Sequence, residues 1–134
     1  MELPWLSRWQ PEMLALLRIF TGLLFLEHAT QKFFAFPAPF PVSPLPPLLL
    51  AAGIIELVVG VLITIGLFTR VAAFIASGEM AIGYFISHFP HGFWPAVNKG
   101  EAAILFCFVF LYLAAAGAGA WSLDQLRTRN APIH

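Results

Sequence analysis

The sequence predicts an all-α integral membrane protein, a four-helix bundle that forms a single domain over residues 1–134. Sixty per cent of the residues are hydrophobic and 10% are charged, whereas about a quarter of the residues in a soluble domain are charged. The apolar residues form four stretches, each close to the roughly 20 residues that a ~30 Å hydrocarbon core requires. We therefore expect a lipid bilayer as the surroundings. Seven basic residues balance seven acidic ones, so we expect no nucleic acid as a partner.

Segments that cannot be helical separate the four stretches and predict the order of the elements. Segment 37–47 holds six prolines. Since proline lacks the amide N–H and disfavours helix at the residue before it, we expect a non-helical connection there. Thr69-Arg70 predicts a tight turn, and segment 90–95 predicts a second irregular connection. The spans are therefore predicted at residues 13–36, 48–68, 71–89 and 96–116.

The distribution of basic residues predicts the orientation of the spans. With four spans, both termini and the turn at residues 69–70 lie on one side of the membrane. The opposite side carries Lys32 and Lys99. Because cytoplasmic segments of membrane proteins are enriched in lysine and arginine, the N- and C-termini are predicted to be cytoplasmic. The basic residues on that side are Arg8, Arg70, Arg127 and Arg129, with Arg18 one turn inside the first span.

Each apolar stretch carries one glutamate, in it or at its edge. A carboxylate at membrane depth costs roughly 2.5 to 3.5 kcal/mol on insertion scales, so these side chains are predicted to face each other or water inside the bundle. For Glu27 and Glu79, helical spacing leaves open whether the side chain faces the interior or a partner. The full set is Glu27, Glu56, Glu79 and Glu101.

Helical spacing predicts which charged side chains point inward. Arg18 and Lys32 lie on one narrow stripe of the first span with small residues between them, and small residues let membrane helices approach closely. Glu56 lies on a comparable seam of the second span. Lys32 and Glu101 are predicted at similar depth, and opposite charges that pair cost less than isolated ones. Glu27 and Glu56 are also predicted at similar depth.

Three regions of the chain resemble the DoxX family of small membrane proteins. The first is the run from Arg18 to Lys32, with a glycine four residues after the arginine; the usual glycine before the lysine is Ala29 here. The second, residues 53–70, is similar to the family's second helix and its Gly-Leu-Phe-Thr-Arg turn. The third is Asn98-Lys99-Gly100-Glu101 and the Ser-Leu-Asp ending at 122–124, so the resemblance covers about residues 14–124.

The resemblance implies a multi-pass protein of the bacterial inner membrane that is linked to sulfur and thiol redox chemistry. Relatives act as quinone-reducing subunits of thiosulfate oxidation or as membrane anchors of oxidative-stress complexes. We therefore expect a homo-oligomer or a soluble redox partner protein. Cys107 is the single cysteine, so dithiol chemistry has to come from that partner.

A quinone site is the catalytic arrangement that these residues favour. Such a site needs an apolar slot for the ring and polar groups that bind the carbonyl oxygens and exchange protons. Lys32, Glu56 and Glu101 are predicted to form its polar centre, with His28 as a proton relay because histidine titrates near neutral pH. The residues predicted to bind the cofactor around this centre are Arg18, His88, Trp94 and Asn98.

Other functions stay open from the residues alone. A charge network can lock the helices together without turnover, as in a non-catalytic membrane anchor for a partner complex, and a single membrane carboxylate such as Glu56 can serve a small-solute or proton-coupled transporter. Whether the protein is an enzyme is therefore left open. A dinuclear metal site is not expected, because Glu-x-x-His spacing is absent. Haem held by His28 and His88 is not expected either.

Overall fold

A computed structural model describes residues 1–130 of the chain, except for the side chains of residues 129 and 130. Residues 131–134 of the predicted domain and the side chain of Arg129 lie outside this description. The described chain is helical and contains no strand, which confirms the all-α class. The helices are α1 (Pro4–Ser7), α2 (Gln10–Phe34), α3 (Pro47–Ile65), α4 (Thr69–Ser87), α5 (Pro95–Asn98), α6 (Glu101–Ala116) and α7 (Leu123–Asn130).

Three helical segments are long and apolar enough to cross a membrane, and they correspond to the first three predicted spans. These are Gln10–Phe34, Pro47–Ile65 and Thr69–His91. The apolar helix α6 has 16 residues, so at 1.5 Å per residue it is about 24 Å long. The predicted fourth span, 96–116, is therefore divided into α5, a break and α6.

The break in the fourth predicted span follows from a local contact of Asn98 and from the packing of α4 against Gly100. Lys99 adopts a left-handed conformation with φ of 64°, which interrupts the helix. The side-chain Oδ1 of Asn98 accepts a hydrogen bond from the Gly100 amide at 2.8 Å. A Cβ atom added at Gly100 would approach the Tyr84 ring to 2.5 Å, so this glycine allows α4 to lie directly against the break.

The turn between the second and third spans lies earlier than predicted. α3 ends at Ile65, Gly66 has a left-handed φ of 72°, and α4 begins at Thr69. The Gly66 amide donates to the Ile63 carbonyl and the Leu67 amide to the Leu62 carbonyl, the pattern of a glycine-dependent helix ending. The prediction that Thr69-Arg70 forms the turn is wrong, because Asp124 supplies acceptors that start α4 at Thr69.

Close packing of small residues holds the long helices together. α2 packs on α3, α3 on α4 and α4 on α6, around a core that contains Phe25 and Phe110 with ring centroids 4.9 Å apart. A Cβ atom at Gly22 would be 2.6 Å from the Thr64 hydroxyl oxygen, and one at Gly60 would be 3.2 Å from Leu26. The inward-facing small-residue stripes predicted for α2 and α3 are therefore confirmed.

Candidate functional site

α2 and α3 bring Lys32 and Glu56 together in a buried ion pair. The Lys32 Nζ atom lies 2.9 Å from Oε2 and 3.2 Å from Oε1 of Glu56, and their side chains are 5% and 4% exposed. Gly53, one turn before Glu56, makes the approach possible, since a Cβ atom there would lie 2.8 Å from the Phe33 ring and 3.1 Å from the Lys32 stem. The ion pair therefore depends on a glycine contact between the two helices.

The Lys32 ammonium group has further partners at the end of α2. Its Nζ atom is 3.4 Å from the His28 carbonyl oxygen and 5.0 Å from the centroid of the Phe40 ring. Phe40 lies in the proline-rich connection between α2 and α3, so that connection covers the charged pair with an aromatic face. A cation over an aromatic ring gains about 0.5 to 2 kcal/mol, more when it is desolvated.

α4 adds a second carboxyl group, that of Glu79, to the pair. This carboxyl group lies within electrostatic reach of Glu56 and Lys32. Its Oε2 atom is shielded from solvent and has no hydrogen-bond partner among the described residues. The cluster therefore contains two carboxyl groups and one ammonium group, and we name Lys32, Glu56 and Glu79 the charged cluster.

Glu79 was not among the predicted site residues, although its spacing contained the information. Ala72, Ala76, Glu79 and Gly83 recur at intervals of four, three and four, which places them on one face of a helix. Ala72 and Ala76 are buried. On α3, a stripe of small residues with one acid predicted that Glu56 faces inward. The same pattern occurs on α4.

His28 lies at the edge of the charged cluster. Its ring centroid is 5.9 Å from that of Phe106 in an edge-on arrangement and 6.4 Å from that of Phe25. Glu56 and Lys32 are close enough to act electrostatically on the imidazole. The histidine is nevertheless an exposed residue, so its ring joins the cluster to the molecular surface.

An apolar groove between α3 and α4 reaches the charged cluster from the outer surface of the protein. It has a volume of about 470 Å³, and Glu79 is the one ionisable residue in its lining. Both helices contribute apolar walls, among them Leu49, Ala52, Ile55, Phe74 and Ile82. A pocket with apolar walls and a few convergent polar groups is typical of sites for small organic ligands.

Arg18 lies far from the charged cluster and has a structural task. It is fully buried, and its guanidinium group donates to the carbonyl oxygens of Ala118, Ala120 at 3.1 Å and Trp121 at 2.8 Å. Lys32 follows 14 positions later on the same helix, about 21 Å along its axis. Arg18 was predicted to bind the cofactor as a second, inner charge, but its guanidinium group binds the loop after α6.

The same end of the molecule is held by two further polar contacts. Arg70 donates to the carbonyl oxygens of Ala114, Ala115 and Ala116, where α6 ends. Asp124 accepts hydrogen bonds from the amides of Phe68 and Thr69, each at 2.8 Å. Burial acts to raise the pKa of Asp124, but the Thr69 and Phe68 hydrogen bonds outweigh it and leave this pKa below its ordinary value. These residues act as ties between helix ends.

Asn98 and His88 also form a structural unit, in the connection between α4 and α6. The buried Asn98 amide group donates to the Tyr84 hydroxyl at 3.0 Å and to the Gly92 carbonyl at 2.9 Å. The His88 Nδ1 atom lies 3.1 Å from the Asn98 carbonyl oxygen, and its ring stacks with that of Tyr84. Both side chains organise this connection, and no contact joins them to the charged cluster among the described residues.

The last two predicted site residues are exposed. Trp94 is 68% exposed and packs edge-on against Phe93. Glu101 was predicted to share a polar centre with Lys32 but is exposed at the first turn of α6. The reason is the break at residues 99–100, which starts α6 at Glu101 and places its carboxylate at a helix N-terminus, where the helix dipole favours an acid. Lys32 pairs with Glu56 instead.

Comparison with known proteins places the charged cluster inside a matched region. The family model DoxX matches residues 13–89, a stretch that includes all three residues of the cluster. A protein of Haemophilus influenzae, described as an uncharacterized protein, is 44% identical over 125 residues, covering 89% of this chain and 93% of that protein. No solved structure matches the chain.

Proposed function

This chain belongs to the DoxX family of membrane proteins, and on that premise we propose that it is the membrane-integral subunit of a redox system. In this proposal it links a thiol- or sulfur-oxidising partner to the quinone pool. The observation that carries the proposal is the charged cluster of Lys32, Glu56 and Glu79, buried among apolar helices and reached by the groove between α3 and α4. Ionisable groups at membrane depth are costly and are typical of functional sites.

The reaction requires both electrons and protons at the quinone. Oxidation of two thiols to a disulfide releases two electrons and two protons, and reduction of a quinone to a quinol takes up the same number of each. The Lys32 ammonium group supplies a fixed positive charge, and carboxyl groups beside it can hold and release protons. Cys107 is the single cysteine of the chain, so the dithiol belongs to the partner.

We further propose that α6, together with α5, forms a fourth span, which makes the protein a four-span bundle. The contacts of Arg18 near the start of α2 with residues 118–121 after α6 support this arrangement, since they bring the two ends of the helical region together. An even number of spans leaves both termini on one side, and the arginine-rich side is then cytoplasmic in the bacterial inner membrane. A homo-oligomer or a soluble redox partner completes the unit.

Reduction of decylubiquinone by membranes tests the proposal directly. Membranes that contain the chain with its native partners are supplied with thiosulfate or a small dithiol, and quinone reduction is followed optically. We expect Glu56→Gln to lower the rate by about 100-fold or more, the range for loss of a proton-transfer group. Lys32→Met removes the positive charge beside the carboxyl groups, so we expect it to lower the rate as well. The control is Glu27→Gln, since Glu27 is an exposed residue of α2.

Two outcomes would contradict the proposed function. Full quinone reduction by both cluster variants would remove the cluster from the reaction. Quinone reduction that is independent of the chain would leave it as a membrane anchor for its partner, without turnover.

A further inference from the structure

We infer that Glu79 carries an exchangeable proton and delivers it to an apolar ligand that enters from the lipid through the groove between α3 and α4. The ligand class is an apolar molecule with a carbonyl oxygen that accepts the proton. The statement about the ligand rests on the proposed function, because a quinone is such a molecule. The statement about the proton rests on the charged cluster alone.

The number of charges in the cluster gives the first argument. One ammonium group faces two carboxyl groups, and Lys32 already forms both of its short contacts with Glu56. A second carboxylate beside the first would repel it in surroundings of low dielectric constant, and two neighbouring acids then share a proton. Glu79 is the acid without the lysine contact, so the proton resides on Glu79.

Within the part of the chain that the structure describes, the surroundings of Glu79 contain no other cation that replaces this proton. The charged groups that face it are Glu56 on α3 and Lys32 on α2. On α6, which also packs against α4, Cys107 is held by the Ser77 hydroxyl, which donates to the Cys107 carbonyl oxygen at 2.8 Å. Glu101 is exposed at the other end of α6 from the loop that binds Arg18.

Access from the lipid gives the second argument. The groove is lined on both sides by apolar residues of α3 and α4, and Glu79 is the one ionisable group that reaches it. Two glycines of α4, Gly78 and Gly83, line the groove near Glu79. The space beside each is open, since a Cβ atom at either would meet nothing within 4 Å. Glu79 therefore connects a lipid-facing slot with the buried pair.

The proton balance is complete for one turnover. Glu79 passes its proton to one carbonyl oxygen of the quinone as two electrons arrive from the partner, and its carboxylate then takes up one of the two protons that the thiols release. The second proton reaches the other carbonyl oxygen from water, and the other proton that the thiols release returns to water.

Labelling with dicyclohexylcarbodiimide tests the inference without relying on turnover. A protonated carboxyl group adds across a C=N bond of this apolar reagent. The adduct rearranges to a stable acylurea that retains all atoms of the reagent. The detergent-purified full-length chain is treated with it, digested and analysed by peptide mass spectrometry. We expect the label on Glu79, its loss in Glu79→Gln, and no change in Glu27→Gln.

Competition by decylubiquinone separates the two statements. Protection of Glu79 from the reagent by decylubiquinone supports a carbonyl ligand in the groove. Labelling of Glu79 without protection overturns the ligand statement and leaves the proton statement standing. A folded chain that is unlabelled at Glu79, or labelled equally at Glu27, overturns the proton statement, while the proposed function is still decided by the quinone-reduction rates.

Discussion

At the scale of single residues, the molecule separates charged side chains that bind backbone from charged side chains that face each other. Arg18 and Arg70 donate to carbonyl oxygens at the end of α6 and in the loop after it. Lys32 instead meets Glu56 and, beyond it, Glu79. Arginine suits the first task because its planar group donates several hydrogen bonds at fixed angles.

The charged cluster predicts an unequal response to removal of its two pair members. Lys32→Met leaves two carboxyl groups without a cation, and removing one partner of a buried pair costs about 3 to 5 kcal/mol. Glu56→Gln leaves Lys32 with Glu79 as a remaining acid, so we expect a smaller loss. Apparent melting temperatures of the detergent-purified variants measure this order.

The double variant Lys32→Met/Glu56→Gln serves as the control for that comparison. Since no pair remains to be broken, we expect it to be more stable than Lys32→Met alone. A melting temperature of Glu56→Gln below that of Lys32→Met would contradict the arrangement of the cluster.

Spacing in the sequence predicted two of the three residues of this cluster. Lys32 and Glu56 each lie on a stripe with small residues, and the structure brings both into one pair. Glu79 lies on a similar stripe of α4 with Ala72 and Ala76, but the sequence left open whether it faces the interior or a partner. Glu101 was assigned by depth alone, and depth carries no information about the break at residues 99–100 that places it at a helix start.

At the scale of elements, α4 depends on a residue more than 50 positions away. Its first amides are bonded by Asp124, at the start of α7. Local patterns indicated a turn near residue 69, but the acceptor that determines the first residue of α4 is distant in sequence. Gly66 likewise packs against Ser122, in the loop before α7, and against the Arg18 side chain, so that a Cβ atom there would lie 2.5 Å from Ser122.

We expect the stability difference between the natural chain and the Asp124→Asn variant to depend on pH. An N-terminal helix cap contributes about 0.5 to 2 kcal/mol, so we expect a lower melting temperature for the variant at neutral pH. The pKa of Asp124 is below its ordinary value of 3.8. The stabilisation is therefore complete above pH 3.8 and is lost as the pH falls through the lower pKa of the folded protein.

Melting curves of the natural chain and the variant between neutral and strongly acidic pH measure this difference. Glu2→Gln is the control, since Glu2 is an exposed acid near the N-terminus. A difference that disappears well above pH 4 would contradict a hydrogen-bonded carboxylate at position 124.

At the scale of the whole molecule, hydropathy predicted three spans that the structure reproduces, since a run of about 20 apolar residues is a local property. The division of the fourth predicted span was not predictable in this way, because it follows from Asn98 and from the packing of Tyr84 on Gly100. The orientation in the membrane stays a prediction that rests on the arginine distribution.

The number of spans decides on which side the C-terminus lies. Four spans place both termini in the cytoplasm, whereas three place them on opposite sides. We expect a C-terminal green fluorescent protein fusion to fluoresce and a C-terminal alkaline phosphatase fusion to be inactive. The reverse pattern, with an unchanged N-terminus, would show that α6 does not cross the membrane. A phosphatase inserted in the connection at residues 37–46 is the control and should be active.

Quinone bound to the purified protein tests most directly whether the charged cluster faces a quinone, as proposed. The chain is purified in mild detergent, its optical spectrum is recorded, and an organic-solvent extract is analysed for quinone. We predict one quinone per functional unit, lost in Lys32→Met/Glu56→Gln and retained in Glu27→Gln. A quinone-free protein that also fails to bind added decylubiquinone would contradict a quinone site at the charged cluster.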